Sequence, residues 1–246
     1  MWVDAASPDL DASKKFYSEL FGWQVNEVPD PAAGGYAFFM KDEKMVGGLG
    51  PTMGPGQPAA WTMYVRTPDV DATARTIQEQ GGQVVAGPMD VRGAGRIAWF
   101  ADPTGAHLAA LQPSEQTQGS EIVNEVGSFT WSDLGTRDMP AAKEFYAKVF
   151  GWNPQDRDIA GNAYTEFQVD GRSIAGGMDI SGLPADEVPP NWLIYFRVDS
   201  IDDAFEKAKE LGGSLANGPF EFPQGRFTIL RDPVGAFFAV VEYKQA

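Results

Sequence analysis

Near the start of the chain, Leu10, Phe16, Tyr17, Leu20 and Phe21 recur at helical spacing, with Ser7 or Asp9 placed to cap the segment and Gly22 to stop it. A short strand over Trp2–Ala5 precedes this helix, and strand-like runs near 23–28, 35–41 and 44–50 follow it. The first fifty residues therefore predict a β-α-β-β-β unit. The pattern then restarts with a strand at 60–66, a helix over 69–80 carrying Val70, Ala74 and Ile77, and strands near 83–86, 95–101 and 106–112.

The same alternation returns further along the chain. The segment WVDAASPDLDASKKFYSELFGW at 2–23 realigns with WSDLGTRDMPAAKEFYAKVFGW at 131–152, at a constant offset of 129. Gly47-Gly48 recurs as Gly176-Gly177, Trp61 and Tyr64 as Trp192 and Tyr195, and Gly81-Gly82 as Gly212-Gly213. Gly87-Pro88 recurs as Gly218-Pro219, and Asp102-Pro103 with Gly105 as Asp232-Pro233 with Gly235. The second copy predicts a strand at 191–198, a helix over 200–211 carrying Ile201, Phe205, Ala208 and Leu211, and strands near 214–217, 225–231 and 236–243. The polar stretch PSEQTQGSE at 113–121 has no counterpart. The expected organisation is a domain over 1–113, a linker over 114–125 and a second domain over 126–246. Only Met1 precedes Trp2, whereas Val126–Thr130 lead into Trp131, so a shorter first strand is expected in the first copy.

Composition narrows the functions. The 246 residues are 43% hydrophobic and 22% charged, the profile of a folded chain of two ordinary domains. The net charge of −15 is spread over both copies, at −5 for 1–113, −3 for 114–125 and −7 for 126–246. Such a surface repels phosphate backbones, so no nucleic-acid partner is expected. The absence of cysteine removes disulfides, thiol nucleophiles and zinc–thiolate sites. With no charged-then-apolar leader and no apolar run near the roughly 18 residues of a membrane span, a cytoplasmic protein without a membrane partner is expected.

Paired β-α-β-β-β modules, a helix ending in FYSELFGW or FYAKVFGW, and a late DPTG or DPVG turn resemble the glyoxalase/bleomycin-resistance/extradiol-dioxygenase (vicinal-oxygen-chelate) superfamily. The tandem copies, with a tryptophan in each first strand, resemble its two-domain actinobacterial members, labelled glyoxalase-like or hydroxylase. The resemblance implies an α+β fold in which the two modules of each domain curl their sheets into a cup for a small molecule. It also implies where a divalent metal would be held: seven residues before the helix-capping Asp, on the fifth strand, and seven residues after the Asp of the DP turn. Those positions are Trp2 and Trp131, Thr62 and Leu193, and Ala109 and Ala239. Indole is a donor only, and alanine carries no donor atom for a metal. With one histidine, His107, a single chain cannot build a two-histidine, one-carboxylate iron site. No metal and no other cofactor is expected.

Strand alternation then assigns the cup walls. Trp2 with Asp4, Tyr64 with Arg66, and His107 with Ala109 and Leu111 would line the first cup. Trp131 with Asp133, Tyr195 with Arg197, and Phe237 with Ala239 and Val241 would line the second. Trp2, Tyr64, Arg66, Trp131, Tyr195, Arg197 and Phe237 are the expected ligand contacts, suited to a small apolar or aromatic molecule, neutral or cationic. Asp4, Asp133 and His107 are the candidate acids or bases. Each also has a structural alternative: the rings as core, the Asp–Arg combinations as buried ion pairs, His107 as a core side chain in the place of Phe237. The glycine pairs at 47–48 and 176–177 lack phosphate-loop spacing and are expected to permit a bulge or bend. Three functions stay open: metal-independent binding and sequestration of a small molecule; an enzyme of the hydroxylase, lyase or isomerase type using a cup Asp or His107; and an interaction protein with vestigial cups. Oligomeric state is not legible.

Overall fold

The structure is a computed structural model and describes residues 1–54, 56–91, 93–115, 119–159 and 161–244. Part of the expected linker, 116–118, lies outside the described residues.

Four β-α-β-β-β modules follow one another, as the periodicity predicts. The first has β1 (Trp2–Ser7), α1 (Leu10–Phe21), β2 (Gln24–Glu27), β3 (Ala37–Lys41) and β4 (Lys44–Pro51). The second has β5 (Ala60–Arg66), α2 (Val70–Glu79), β6 (Gln83–Val91), β7 (Gly95–Ala101) and β8 (His107–Pro113). The third has β9 (Phe129–Thr136), α3 (Met139–Phe150), β10 (Asn153–Ile159), β11 (Asn162–Val169) and β12 (Arg172–Asp179). The fourth has β13 (Asn191–Arg197), α4 (Ile201–Glu210), β14 (Ser214–Phe222), β15 (Gly225–Arg231) and β16 (Phe237–Tyr243). In each module the last strand hydrogen-bonds in parallel with the first, so the order in the first is β2-β3-β4-β1 and in the second β5-β8-β7-β6. The third and fourth repeat these orders. No helix among the described residues is long and apolar enough to cross a membrane.

Local chemistry accounts for the element ends. Asp9 and Asp138 accept the backbone N–H of Ala12 and Ala141 at 3.0 Å, and Gly22 (φ 72°) closes α1 in the left-handed conformation a residue with Cβ avoids. Strands β6 and β14 run past Gly87-Pro88 and Gly218-Pro219, farther than the predicted 83–86 and 214–217. The pairing shifts register across each dipeptide, and a bulge is where a strand tolerates a residue without an N–H.

The chain forms two compact units that do not coincide with the two sequence copies. One unit holds residues 63–118 and 131–193 together with Met1; the other holds 2–62, 119–130 and 194–246. The first unit thus combines the second and third modules, and the other combines the first and fourth. In the first, α2 packs on α3, Phe100 meets Phe145 and Phe150 at ring distances of 6.2 and 5.9 Å, and a Cβ on Gly82 would crowd the Phe145 ring. In the other, α1 packs on α4, and Phe16 and Phe21 meet Phe238 and Phe196 at 6.0 and 5.1 Å.

At the centre of each unit is a buried hydrogen-bonded chain. Trp192 Nε1 donates to the Tyr146 hydroxyl at 2.8 Å, which donates to Asp102 Oδ2 at 2.8 Å. Trp61 Nε1, the Tyr17 hydroxyl and Asp232 Oδ2 repeat this at the same distances. The other oxygen of each carboxylate accepts the N–H groups of its own DP turn. Burial raises both tyrosines well above the phenol range, with the facing carboxylate adding to it, and burial also raises Asp232. The recurring Trp, FY and DP positions of the repeat are therefore the polar core of the fold.

Candidate ligand-binding site

The first strand of each copy carries a second kind of Trp–Tyr–Asp cluster. In the first module Asp4 stands opposite Gly48. The absence of a side chain at 48 lets Tyr36 lie over the strand and donate to Asp4 Oδ2 at 3.1 Å, while Trp2 Nε1 donates to the tyrosine at 3.3 Å. In the third module Asp133 stands opposite Gly176. Tyr164 donates to Asp133 Oδ1 at 2.6 Å, and Trp131 Nε1 donates to both, at 3.0 Å to the carboxylate and 2.9 Å to the hydroxyl. Asp133 is only 7% exposed, and Tyr164 and Trp131 supply donors to its Oδ1 where water has little access. Burial, then the carboxylate, raises the hydroxyls of Tyr36 and Tyr164, which stay protonated and donating at neutral pH.

The expected bend at the glycine pairs is present as a register shift one step earlier, between Phe39 and Met40 and between Phe167 and Gln168. The further role of Gly48 and Gly176 is to make room. Gly176→Ala should expel Tyr164, because a Cβ there would overlap both the Tyr164 hydroxyl and Asp133 Oδ1. The expected loss is about 2 kcal/mol, that of a charge-assisted hydrogen bond and a displaced ring. Urea denaturation checks this, and an unchanged midpoint would show that the tyrosine does not depend on the glycine.

The second and fourth modules carry the other expected contacts. Tyr64, Ala109 and Trp99 form one cross-strand row, and Trp99 Nε1 reaches over the alanine to the Tyr64 hydroxyl at 3.2 Å. Tyr195, Ala239 and Ile229 form the corresponding row, with Phe227 packing on Tyr195 at 5.4 Å. Arg66 is exposed and lines a depression of about 490 Å³ with Thr67, Pro68, Gln112 and Pro113. Arg197 donates to the Asn124 carbonyl at 2.8 Å and stands 5.6 Å from the Tyr243 ring centre. His107 and Phe237 begin the last strands and are exposed, Phe237 by 51%, so neither is the core side chain that burial statistics favoured. Trp2 and Asp4 lie in a different compact unit from Tyr64, Arg66 and His107, as do Trp131 and Asp133 from Tyr195, Arg197 and Phe237. Tyr36, Tyr164 and Trp99 escaped the sequence assignment. Tyr36 and Tyr164 carried a signal, since they recur at an offset of 128 ahead of the matched Phe39 and Phe167.

The model of the Glyoxalase/Bleomycin resistance protein/Dioxygenase superfamily matches residues 2–109 and 125–240, nearly the whole of each copy. The chain belongs to this superfamily. It is 38% identical to the anthracycline biosynthesis protein DnrV of Streptomyces peucetius, over 99% of this chain and 93% of that one. It is 36% identical to CFP32 of Mycobacterium bovis, over 98% and 93%. Both relatives are actinobacterial, as the tandem pattern implied. Among solved structures, the Mn(II)-bound glyoxalase of Novosphingobium aromaticivorans superposes with a TM-score of 0.64 at 16% identity, over 98% of this chain and 80% of that one. A variant of homoprotocatechuate 2,3-dioxygenase from Brevibacterium fuscum does so at 0.66 and 18%, over 99% and 70%. At such identities the likeness is one of fold, a small-molecule-binding fold with aromatic-lined faces.

At the positions where the resemblance implies metal ligands, Trp2 and Trp131, Thr62 and Leu193, and Ala109 and Ala239, only the Thr62 hydroxyl carries a side-chain lone pair suited to an ion. Trp2 and Trp131 spend their single N–H on Tyr36, Tyr164 and Asp133, and Ala109 and Ala239 are buried methyl groups in rows of larger side chains. Among the described residues, no three His, Cys, Asp or Glu side chains are grouped to hold an ion.

Proposed function

We propose that this chain is a metal-independent small-molecule-binding member of the superfamily, holding a flat, apolar or aromatic metabolite for sequestration or delivery. The observation that carries this is the Trp131–Tyr164–Asp133 cluster. Where the resemblance implies a metal ligand, this chain has Trp131, whose N–H donates to Tyr164 and Asp133, and Trp2 repeats this toward Tyr36, which donates to Asp4. Trp2, Tyr64, Arg66, Trp131, Tyr195, Arg197 and Phe237 are the proposed contacts. The name of the Streptomyces peucetius relative supports a polycyclic aromatic as the ligand class. Indole rings supply large rigid surface, and the arginines supply donors to ring oxygens.

Titration of the chelator-treated protein with an anthracycline, followed by tryptophan quenching and calorimetry, tests this. Expected are micromolar affinity, on the order of 8 kcal/mol, that chelator does not change, and a metal content far below stoichiometric. A retained stoichiometric ion, or binding that EDTA abolishes and Mn(II) restores, would overturn metal independence.

The burial of Asp133 beside Tyr164 favours one second function, an enzyme in which Asp4, Asp133 or His107 moves a proton. A carboxylate shielded from water and held by positioned donors suits general acid–base work. Turnover that withstands chelators and vanishes in Asp133→Asn, with binding retained, would establish it.

A further inference from the structure

The second and fourth modules are copies of one another, yet corresponding strand faces carry different chemistry. In the fourth module the cross-strand row beyond Tyr195 reads Arg197, Val241, Phe227 and Phe220, and the next row places Tyr243 and Phe222 on either side of Gly225. In the second module the same rows read Arg66, Leu111, Ile97 and Met89, then Pro113 and Val91 on either side of Gly95. Four aromatic rings thus stand where the other copy has two aliphatic side chains, a thioether and a proline. Trp99, which stands where the fourth module has Ile229, is committed to Tyr64.

The four rings form a continuous shelf. Phe220 and Phe227 are 5.0 Å apart and inclined by 32°, Phe222 lies 6.2 Å from Phe227, and the gap left by Gly225 brings Phe222 within 6.1 Å of Tyr243. This shelf is not core: Phe220 is 37% exposed and Phe222, Phe227 and Tyr243 are partly exposed; in the second module Met89 is as open as Phe220, but Ile97, in the place of Phe227, is buried. Exposed, contiguous rings are costly to leave in water and mark a binding face. Arg197 borders them, 5.6 Å from the Tyr243 ring, with one nitrogen anchored on the Asn124 carbonyl. A guanidinium fixed beside a cluster of tilted and edge-on rings matches a flat aromatic molecule bearing carbonyl or phenolate oxygens: the rings pack against it and the arginine donates to its edge.

We infer that the two copies have specialised, and that the fourth-module shelf of Phe220, Phe222, Phe227 and Tyr243 with Arg197 is the binding face for a planar oxygenated aromatic, which the second-module face does not take. This rests on the small-molecule-binding function proposed above.

The probe is 1,2-dihydroxyanthraquinone, titrated into the full chain by visible absorption and calorimetry. Expected are one site per chain, affinity weakened at least tenfold in Phe220→Leu/Phe222→Leu, and a change under twofold in Met89→Leu/Val91→Leu, each variant keeping its wild-type melting profile. Arg197→Gln should weaken the hydroxylated probe more than unsubstituted anthracene. Two equivalent sites, an unaffected Phe220→Leu/Phe222→Leu variant, or equal weakening from the second-module pair would overturn the inference. So would sedimentation showing a dimer that Phe220→Leu/Phe222→Leu dissociates, since the shelf would then serve a second copy of the chain. If the probe fails to bind while other small molecules shift the melting temperature, the inference falls and the general function stands. If no small molecule binds, both fall.

Discussion

Expressed as separate pieces, residues 1–118 and 119–246 should each lose cooperative unfolding as monomers and regain it when mixed. Each compact unit is completed across the repeat. Phe16 and Phe21 of the first copy pack on Phe238 and Phe196 of the second, and Phe145 and Phe150 of the second pack on Phe100 of the first. The hydroxyls of Tyr17 and Tyr146 find their carboxylates on the other copy, and Trp23 Nε1 donates to the Gly127 carbonyl at 2.7 Å. Exposing one such ring forfeits roughly 1.5–3 kcal/mol. Three or four together match the about 5–15 kcal/mol by which a domain is stable. Calorimetry with size-exclusion chromatography checks this. An isolated half that stays monomeric and melts in one sharp transition would show that packing across the repeat is dispensable.

Tyr146→Phe, a single-atom change, should destabilise the chain strongly. Its hydroxyl is fully buried, accepts from Trp192 Nε1 and donates to Asp102 Oδ2. Phenylalanine fills the same space but leaves an indole N–H and half of a carboxylate unpaired where water cannot reach. Losing a hydrogen bond to a charged group and orphaning a second donor costs about 3 kcal/mol. For a protein of this size that lowers the melting temperature by roughly 6–12 °C. Tyr17→Phe should match it, because the Trp61–Tyr17–Asp232 chain has the same lengths. A Tyr146→Phe protein that melts within a degree of wild type would mean that the chain of donors contributes no net stability.

The elements were largely legible because the periodicity that defines them is local. Strands β5, β7 and β15 fall on their predicted residues, and α1 to α4 end within one or two positions of theirs. The repeat fixed which residues correspond, but correspondence does not say which copies touch. Helix α1 faces α4, beyond the reach of any amphipathic pattern, since every helix shows one apolar stripe whatever covers it. The same limit explains the site. Trp2, Asp4, Trp131 and Asp133 were visible through strand alternation, whereas Tyr36 and Tyr164 reach them only because the intervening strand carries a glycine. That depends on register between β1 and β4, and between β9 and β12. For His107, the core alternative to an acid or base falls: the position begins a strand whose next four residues are buried, but its own side chain is exposed.

The interleaving of the two units also sets an order of events on the ribosome. Residues 63–118 and 131–193 of one unit have all been made before the first strand of the fourth module is complete. The other unit joins the first module to the fourth, with Tyr17 and Asp232 separated by 215 residues. At about 5–20 residues per second, residues 2–62 wait roughly 10–40 s for Phe196 and Phe238 to emerge. Through that interval Phe16, Phe21 and Trp61 lack their covering surface. Of the four modules the first therefore stays uncovered longest, and the unit of the second and third modules is able to fold before the other.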